Sequence, residues 1–171
     1  WHRPVVIATP KSMLRSKVAA SEPDEFINGR WRPAIGDESI ADPSTVKTVL
    51  LCSGKIRWEL VAQRKKRGLE GQVAIVSLER LYPLPTAELA AELARYPHAT
   101  DVRYVQDEPL NQGAWPFMAL HLPDAIASAL PGYELTMTPV TRPEASSPSV
   151  GTTKAHTAQE AELMENAFRQ D

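Results

Sequence analysis

A single cysteine, Cys52, is all the thiol chemistry in this 171-residue chain. No internal disulfide can form, and a reducing, cytoplasmic setting is the simpler expectation. Cys52 sits in the apolar run VLLC, the setting of a small buried hydrophobe rather than a nucleophile. Long hydrophobic runs are missing too. No stretch approaches the ~18 consecutive apolar residues of a spanning helix, so no membrane partner is expected. Strong charge of either sign is absent: the net charge of -2 argues against a general nucleic-acid binder, which is normally strongly basic. The four histidines, His2, His98, His121 and His156, stand in separate contexts, with no HExxH, CxxC or GxSxG motif in the chain. No catalytic residue, cofactor ligand or metal ligand is therefore assigned within it.

What is present fits an ordinary folded domain. Apolar residues make up 43% and charged residues 23%, close to globular averages. The length suits one domain over residues 1–171, inside the usual range of about 50 to 250. Fifteen prolines favour sharp connections over long bundled helices. The chain opens on Trp1 and reaches the apolar run VVIA by Val5, which suggests a piece of something longer.

Hydrophobic patterning predicts an α/β fold with a mostly parallel sheet of about five strands and helices on both faces. Val5 to Ala8 reads as a strand or extended arm. Residues 19–44 form an irregular excursion, with one short helix around Pro23 to Ile27 entered from Ser21. The nearly continuous apolar run at 46–52 suits a strand covered on both sides. A helix through Ile56, Leu60, Val61 and Arg64 follows, ended by Gly68 in the position of a C′ glycine. Val73 to Leu78 is the next strand, giving a βαβ unit. A second unit runs from a helix with Leu89, Leu93 and Tyr96 on one face into a strand around Val102 to Val105. Beyond it, a helix through Met118 and Leu122 is expected to break at Pro123 and resume to Leu130. Tyr133 to Met137 alternates as a fourth main strand. Residues 141–171 read as a loop followed by a docking helix, which Thr157 and Glu160 would open as a capping box.

Three short stretches stand out. Gln106, Asp107, Glu108, Asn111, Gln112 and Trp115 belong to the run VQDEPLNQGAW, placed just past the carboxyl end of a predicted strand. That is where ligands and partners meet open α/β sheets. The run fits either a docking or ligand-facing loop or a capped strand-to-helix turn anchored by Trp115. Ser53, Gly54 and Lys55 occupy another strand-to-helix junction, where free N–H groups attract anions; serine capping alone would also account for them. Lys11, Arg15 and Lys17 cluster after Thr9-Pro10 and fit either an anionic group or a solvated turn. Arg64 to Arg67 suits the negative end of its helix dipole.

The segments TPKSMLR (Thr9 to Arg15), LLCSGK (Leu50 to Lys55), VAIVSLERLYPLP (Val73 to Pro85), QDEPLNQGAW (Gln106 to Trp115) and SSPSVGTTKAH (Ser146 to His156) occur in this order in one family. From end to end, the chain resembles the C-terminal region of the E1 component of 2-oxoglutarate dehydrogenase, in its actinobacterial type. The resemblance implies a transketolase C-terminal-like fold within a thiamine-diphosphate-dependent enzyme that decarboxylates 2-oxoglutarate and succinylates lipoamide in the citric acid cycle. It implies that thiamine diphosphate and Mg2+ are held by preceding domains, leaving this chain alone inactive. The implied partners are a homodimer mate, those thiamine-binding domains and the E2 dihydrolipoyl succinyltransferase, with residues 106–115 at the interface or active-site entrance. It also implies regulation by acetyl-CoA or AMP, for which Lys11, Arg15, Ser53, Gly54 and Lys55 would hold phosphates. A stand-alone nucleotide-binding regulatory or scaffold module on the same fold is the alternative.

Overall fold

A computed structural model describes residues 3–170; Trp1, His2 and Asp171 lie outside the described residues. The chain divides into two compact units, one ending at Trp31 and the other starting at Arg32. In the first unit, two short 3-10 turns at Lys11–Met13 and Lys17–Ala19 precede the helix α1, Pro23–Ile27. Proline at the first helical position and Asp24 and Glu25 in the first turn explain why α1 forms there. Its N-cap is Glu22 rather than the expected Ser21. Val5 to Ala8 pairs with no strand and is exposed, Val6 by 94%.

The second unit is a five-stranded sheet in the order β1-β3-β2-β4-β5. Its strands are β1 Ala34–Ile35, β2 Thr48–Cys52, β3 Val73–Leu78, β4 Asp101–Pro109 and β5 Thr138–Arg142. All neighbours run parallel except β1, which pairs antiparallel with β3. The helices α2 Ile56–Arg67, α3 Thr86–Ala94, α4 Trp115–Ala129 and α5 Thr153–Ala167 cover it on both faces. Strand alternation divides the core accordingly. Val49, Leu51, Ala74 and Val76 face Leu89, Leu93, Met118, Leu122 and Ile126 of α3 and α4. Leu50, Cys52, Val73 and Ile75 face Ile56, Leu60, Leu163, Met164 and Phe168 on the α2 and α5 side. Burial there pushes the Cys52 thiol up to about 12, so it is a packed hydrophobe as expected.

Gly68 ends α2 at φ +68, with its N–H donating to the Arg64 and Lys65 carbonyls, as the glycine stop predicts.

Three expectations are corrected. The fourth main strand is Thr138–Arg142, not Tyr133 to Met137. The alternation of Tyr133, Leu135 and Met137 instead packs an unpaired stretch of chain onto the core. Helix α4 runs unbroken through Pro123. Met118, Leu122 and Ile126 are wholly buried on one face; at about 1.5–3 kcal/mol each, they outweigh the roughly 3 kcal/mol cost of an interior proline. Helix α5 starts a turn early, capped by Thr152, whose hydroxyl accepts from the Ala155 amide at 3.3 Å. His156 thus lies inside α5, beside Glu160 at 3.8 Å.

Arg64 lies in the last turn of α2, where its charge suits the helix dipole, and it also has a specific partner. Its guanidinium is 3% exposed and ion-paired with Asp37, and it also donates to Ser39 Oγ at 2.8 Å and to the Val73 carbonyl at 2.8 Å. Asp37 Oδ2 in turn accepts from the Ile75 amide at 2.8 Å. The irregular segment before β2 is therefore pinned to the sheet by a buried charge pair.

Candidate site at the carboxyl edge of the sheet

The chain leaves β2 for β3 on one side and later returns to β4 on the other, so the strand order reverses between β2 and β4. In open α/β sheets, the carboxyl edge at such a reversal is the usual ligand position. Cys52 pairs with Val105 in register, which sets Ser53, Gly54 and Lys55 beside Gln106 and Asp107. The two stretches singled out in the sequence meet here.

Their meeting point is the Asp107 carboxylate. Lys55 Nζ stands 2.7 Å from Asp107 Oδ2 and 2.9 Å from Glu59 Oε1. Arg142 Nη2 stands 2.6 Å from Asp107 Oδ1, while Arg142 Nη1 donates to the His156 carbonyl at 3.2 Å. One carboxylate thus ties together the starts of α2 and α5 and the end of β5. Burial pushes the Asp107 carboxyl up, but the hydrogen bonds and charges of Lys55 and Arg142 outweigh it and hold it below the ordinary value. Burial likewise depresses Lys55, and Asp107 with Glu59 more than reverses the effect. Lys55, not Ser53, is the N-cap of α2, and no side-chain cap is formed.

The rest of the 106–115 stretch is folded back on itself. Gln106 Nε2 donates to the Pro109 carbonyl at 2.9 Å and the Gln112 carbonyl at 2.8 Å, and Gln106 Oε1 accepts from the Trp115 amide at 2.9 Å. That last bond supplies the N-terminus of α4 with an acceptor for a donor that has no partner within the helix. Gly113 makes the arrangement possible: its φ is +65, and a Cβ there would stand 2.8 Å from Gln106 Oε1. Asn111 and Gln112 both donate to the Ala145 carbonyl, at 3.0 and 2.9 Å. The Trp115 ring packs on the core, 6.0 Å from the Tyr104 ring. Glu108 is exposed.

Lys11 and Arg15, the other cations expected at a phosphate, belong to the first unit, where both are exposed. Sequence patterning missed Arg142 and Asp37. Neither has a local signal, because each acquires its role only through a partner 35 or 27 residues away.

A family model described as 2-oxoglutarate dehydrogenase C-terminal matches residues 20–168. The 2-oxoglutarate dehydrogenase E1/E2 component of Corynebacterium glutamicum is 44% identical over 167 residues, 97% of this chain and 13% of that protein. The multifunctional 2-oxoglutarate metabolism enzyme of Mycolicibacterium vanbaalenii is 41% identical over 171 residues, 98% of this chain and 13% of that one. The 2-oxoglutarate dehydrogenase E1 component of Haemophilus influenzae is 40% identical over 166 residues, 97% of this chain and 17% of that protein. The chain spans between 13% and 17% of the length of these curated relatives. Among solved structures, a split gene transketolase, described as an inactive beta4 tetramer, superposes with a TM-score of 0.50 at 16% identity. The match covers 81% of this chain and 44% of that one, a likeness of fold.

Proposed function

Because this chain belongs to the 2-oxoglutarate dehydrogenase C-terminal family, we propose that it serves as the C-terminal domain of a thiamine-diphosphate-dependent 2-oxoglutarate dehydrogenase. The intact polypeptide decarboxylates 2-oxoglutarate in the cytoplasm and passes a succinyl group to lipoamide on dihydrolipoyl succinyltransferase, a step of the citric acid cycle. It works as a homodimer. The observation that carries this reading is the 44% identity over 97% of the chain to a protein named for that reaction.

Among the described residues, no group of three or more His, Cys, Asp or Glu side chains is placed to hold a metal ion. Asp107, the acidic residue at the strand reversal, already meets Lys55 and Arg142. In this reading magnesium and the thiamine diphosphate bound to it are held by the rest of the polypeptide. The role of this chain is architectural: Asp107 and Gln106 hold the carboxyl-edge loop rigid beside the path of the lipoyl arm. Rigid support of this kind is what orients reacting groups held elsewhere.

Regulation by acetyl-CoA or an adenine nucleotide is part of the reading. It rests on Lys11 and Arg15, whose exposed cationic groups suit phosphates. Lys55 is committed to two carboxylates, so its contribution is to the loop frame. Arg15→Ala in the intact polypeptide is expected to abolish acetyl-CoA activation while leaving basal turnover unchanged.

The test of the main reading is 2-oxoglutarate-dependent reduction of ferricyanide by the intact polypeptide supplied with thiamine diphosphate and magnesium. Reduction with 2-oxoglutarate and none by the isolated 171-residue chain is expected. No reduction by the intact polypeptide, with or without acetyl-CoA, would overturn it.

A further inference from the structure

No residue between 3 and 31 is buried. The unit that ends at Trp31 therefore has no core of its own, although Val5, Val6, Ile7, Leu14, Phe26 and Ile27 are all apolar and exposed. Its first stretch is exposed throughout: Val5 by 80%, Val6 by 94% and Ile7 by 79%. Among the described residues, Val5 to Thr9 neither donate nor accept a backbone hydrogen bond. Yet their composition is that of a strand. Valine, isoleucine and threonine favour pleated structure, five residues is an ordinary strand length, and Pro4 and Pro10 stand only at the two ends.

In a strand, successive side chains point to opposite faces, so Val5 and Ile7 share one face and Val6 and Ala8 the other. Both faces are then apolar. A strand with water on one side alternates apolar with polar residues, whereas one covered on both sides, as in parallel sheets between helices, is apolar throughout. The missing cover and the unmade backbone bonds ask for the same thing, a sheet edge with helices on both faces. The sheet of this chain offers no such edge of that length. One edge is β1, which pairs over two residues, and the other is β5, where Pro139 has no N–H to give.

We propose that Val5 to Thr9 form a strand on a sheet edge of the domain that precedes this one in the polypeptide, fastening the two domains together by backbone hydrogen bonds. The proposal rests on the reading above that the chain is the C-terminal domain of a longer protein. The extent of the family points to that neighbour. The family model begins at residue 20, so residues 3–19 lie outside the C-terminal region it describes. The likeness to the Corynebacterium glutamicum protein nevertheless spans 97% of this chain and takes in most of that stretch. A segment common to the long proteins but outside this domain belongs with the domain next to it. An added strand supplies main-chain hydrogen bonds for attachment and alternate side chains for fit.

Hydrogen exchange of the intact polypeptide, read by mass spectrometry on peptides covering Val5 to Thr9 and β2, tests this. The amides of Val5 to Thr9 should exchange on the slow timescale of β2 rather than that of an open chain. Asp37→Ala, which removes the buried partner of Arg64, should speed exchange along β2 and leave Val5 to Thr9 slow. The same result is expected if that variant unfolds the unit starting at Arg32 altogether. Fast exchange at Val5 to Thr9 in the unaltered protein would overturn the proposal. Slow exchange that quickens together with β2 in Asp37→Ala would seat the stretch on this domain instead, and slow exchange lost on dilution would seat it on a second copy; either overturns the assignment. None of these results touches the decarboxylase reading, which the ferricyanide assay decides separately.

Discussion

Arg142 Nη2 stands 2.6 Å from Asp107 Oδ1, tying the edge strand β5 to its neighbour β4 where their register shifts between Val105 and Pro109. Regular ladder bonds are interrupted at that point, and the charge-assisted bond takes their place. The Arg142 side chain is 5% exposed, so removing its partner strands a cation away from water. Asp107→Ala is expected to cost about 1.5–3 kcal/mol, the usual range for a hydrogen bond to a charged group. Urea unfolding of the intact polypeptide and the variant, followed by circular dichroism, measures it.

The Asp37–Arg64 pair should behave differently because both side chains are almost fully buried, 6% and 3% exposed. Deleting one partner leaves an unpaired buried charge, so Asp37→Ala should destabilise by about 3–5 kcal/mol. The double variant Asp37→Ala with Arg64→Met removes both charges and should recover most of that loss. A double-mutant cycle by urea unfolding gives the coupling.

Both carboxyls also set the acid limit of the fold. Burial pushes Asp37 up, but hydrogen bonds from Arg64, Ser39 and the Ile75 amide outweigh it and hold it below its ordinary value. Asp107 is held low in the same way by Lys55 and Arg142. A carboxyl with a depressed folded-state pKa contributes fully above the unfolded value, and the contribution disappears as pH falls through the folded one. Stability should therefore fall steeply below about pH 4. The fall should be shallower in the Asp37→Asn, Asp107→Asn double variant. Urea midpoints from neutral pH downward check both statements.

Gly113 gives the sharpest local test of the 106–115 loop. Gly113→Ala places a Cβ at φ +65, 2.8 Å from the Gln106 oxygen that accepts from the Trp115 amide. A loss of about 1–2 kcal/mol is expected from the left-handed backbone alone. Hydrogen exchange at Trp115 should accelerate, while exchange along β2 stays unchanged.

Patterns with a short period were legible in the sequence. The apolar runs at β2 and β3 and the Leu89–Leu93 spacing on α3 gave those elements and the core to which they belong. The meeting of Ser53–Lys55 with Asp107 followed from parallel pairing of β2 and β4. What escaped depended on distant partners. Alternation at Tyr133 to Met137 reports burial of every second residue, which packing on the core satisfies without a strand neighbour. Arg64 reads only as a helix-end cation until Asp37 is brought against it. Pro123 reads as a break until the buried face of α4 is counted against it.

The most direct test of the central claim is transfer of the acyl group itself. The intact polypeptide, given thiamine diphosphate, magnesium and a lipoylated domain of dihydrolipoyl succinyltransferase, should leave a succinyl group on the lipoyl moiety when 2-oxoglutarate is added. Mass spectrometry of the lipoyl domain reads the product. Succinylation with 2-oxoglutarate and none with pyruvate is the predicted result. A lipoyl domain unchanged by 2-oxoglutarate, or acetylated as readily from pyruvate, would contradict it.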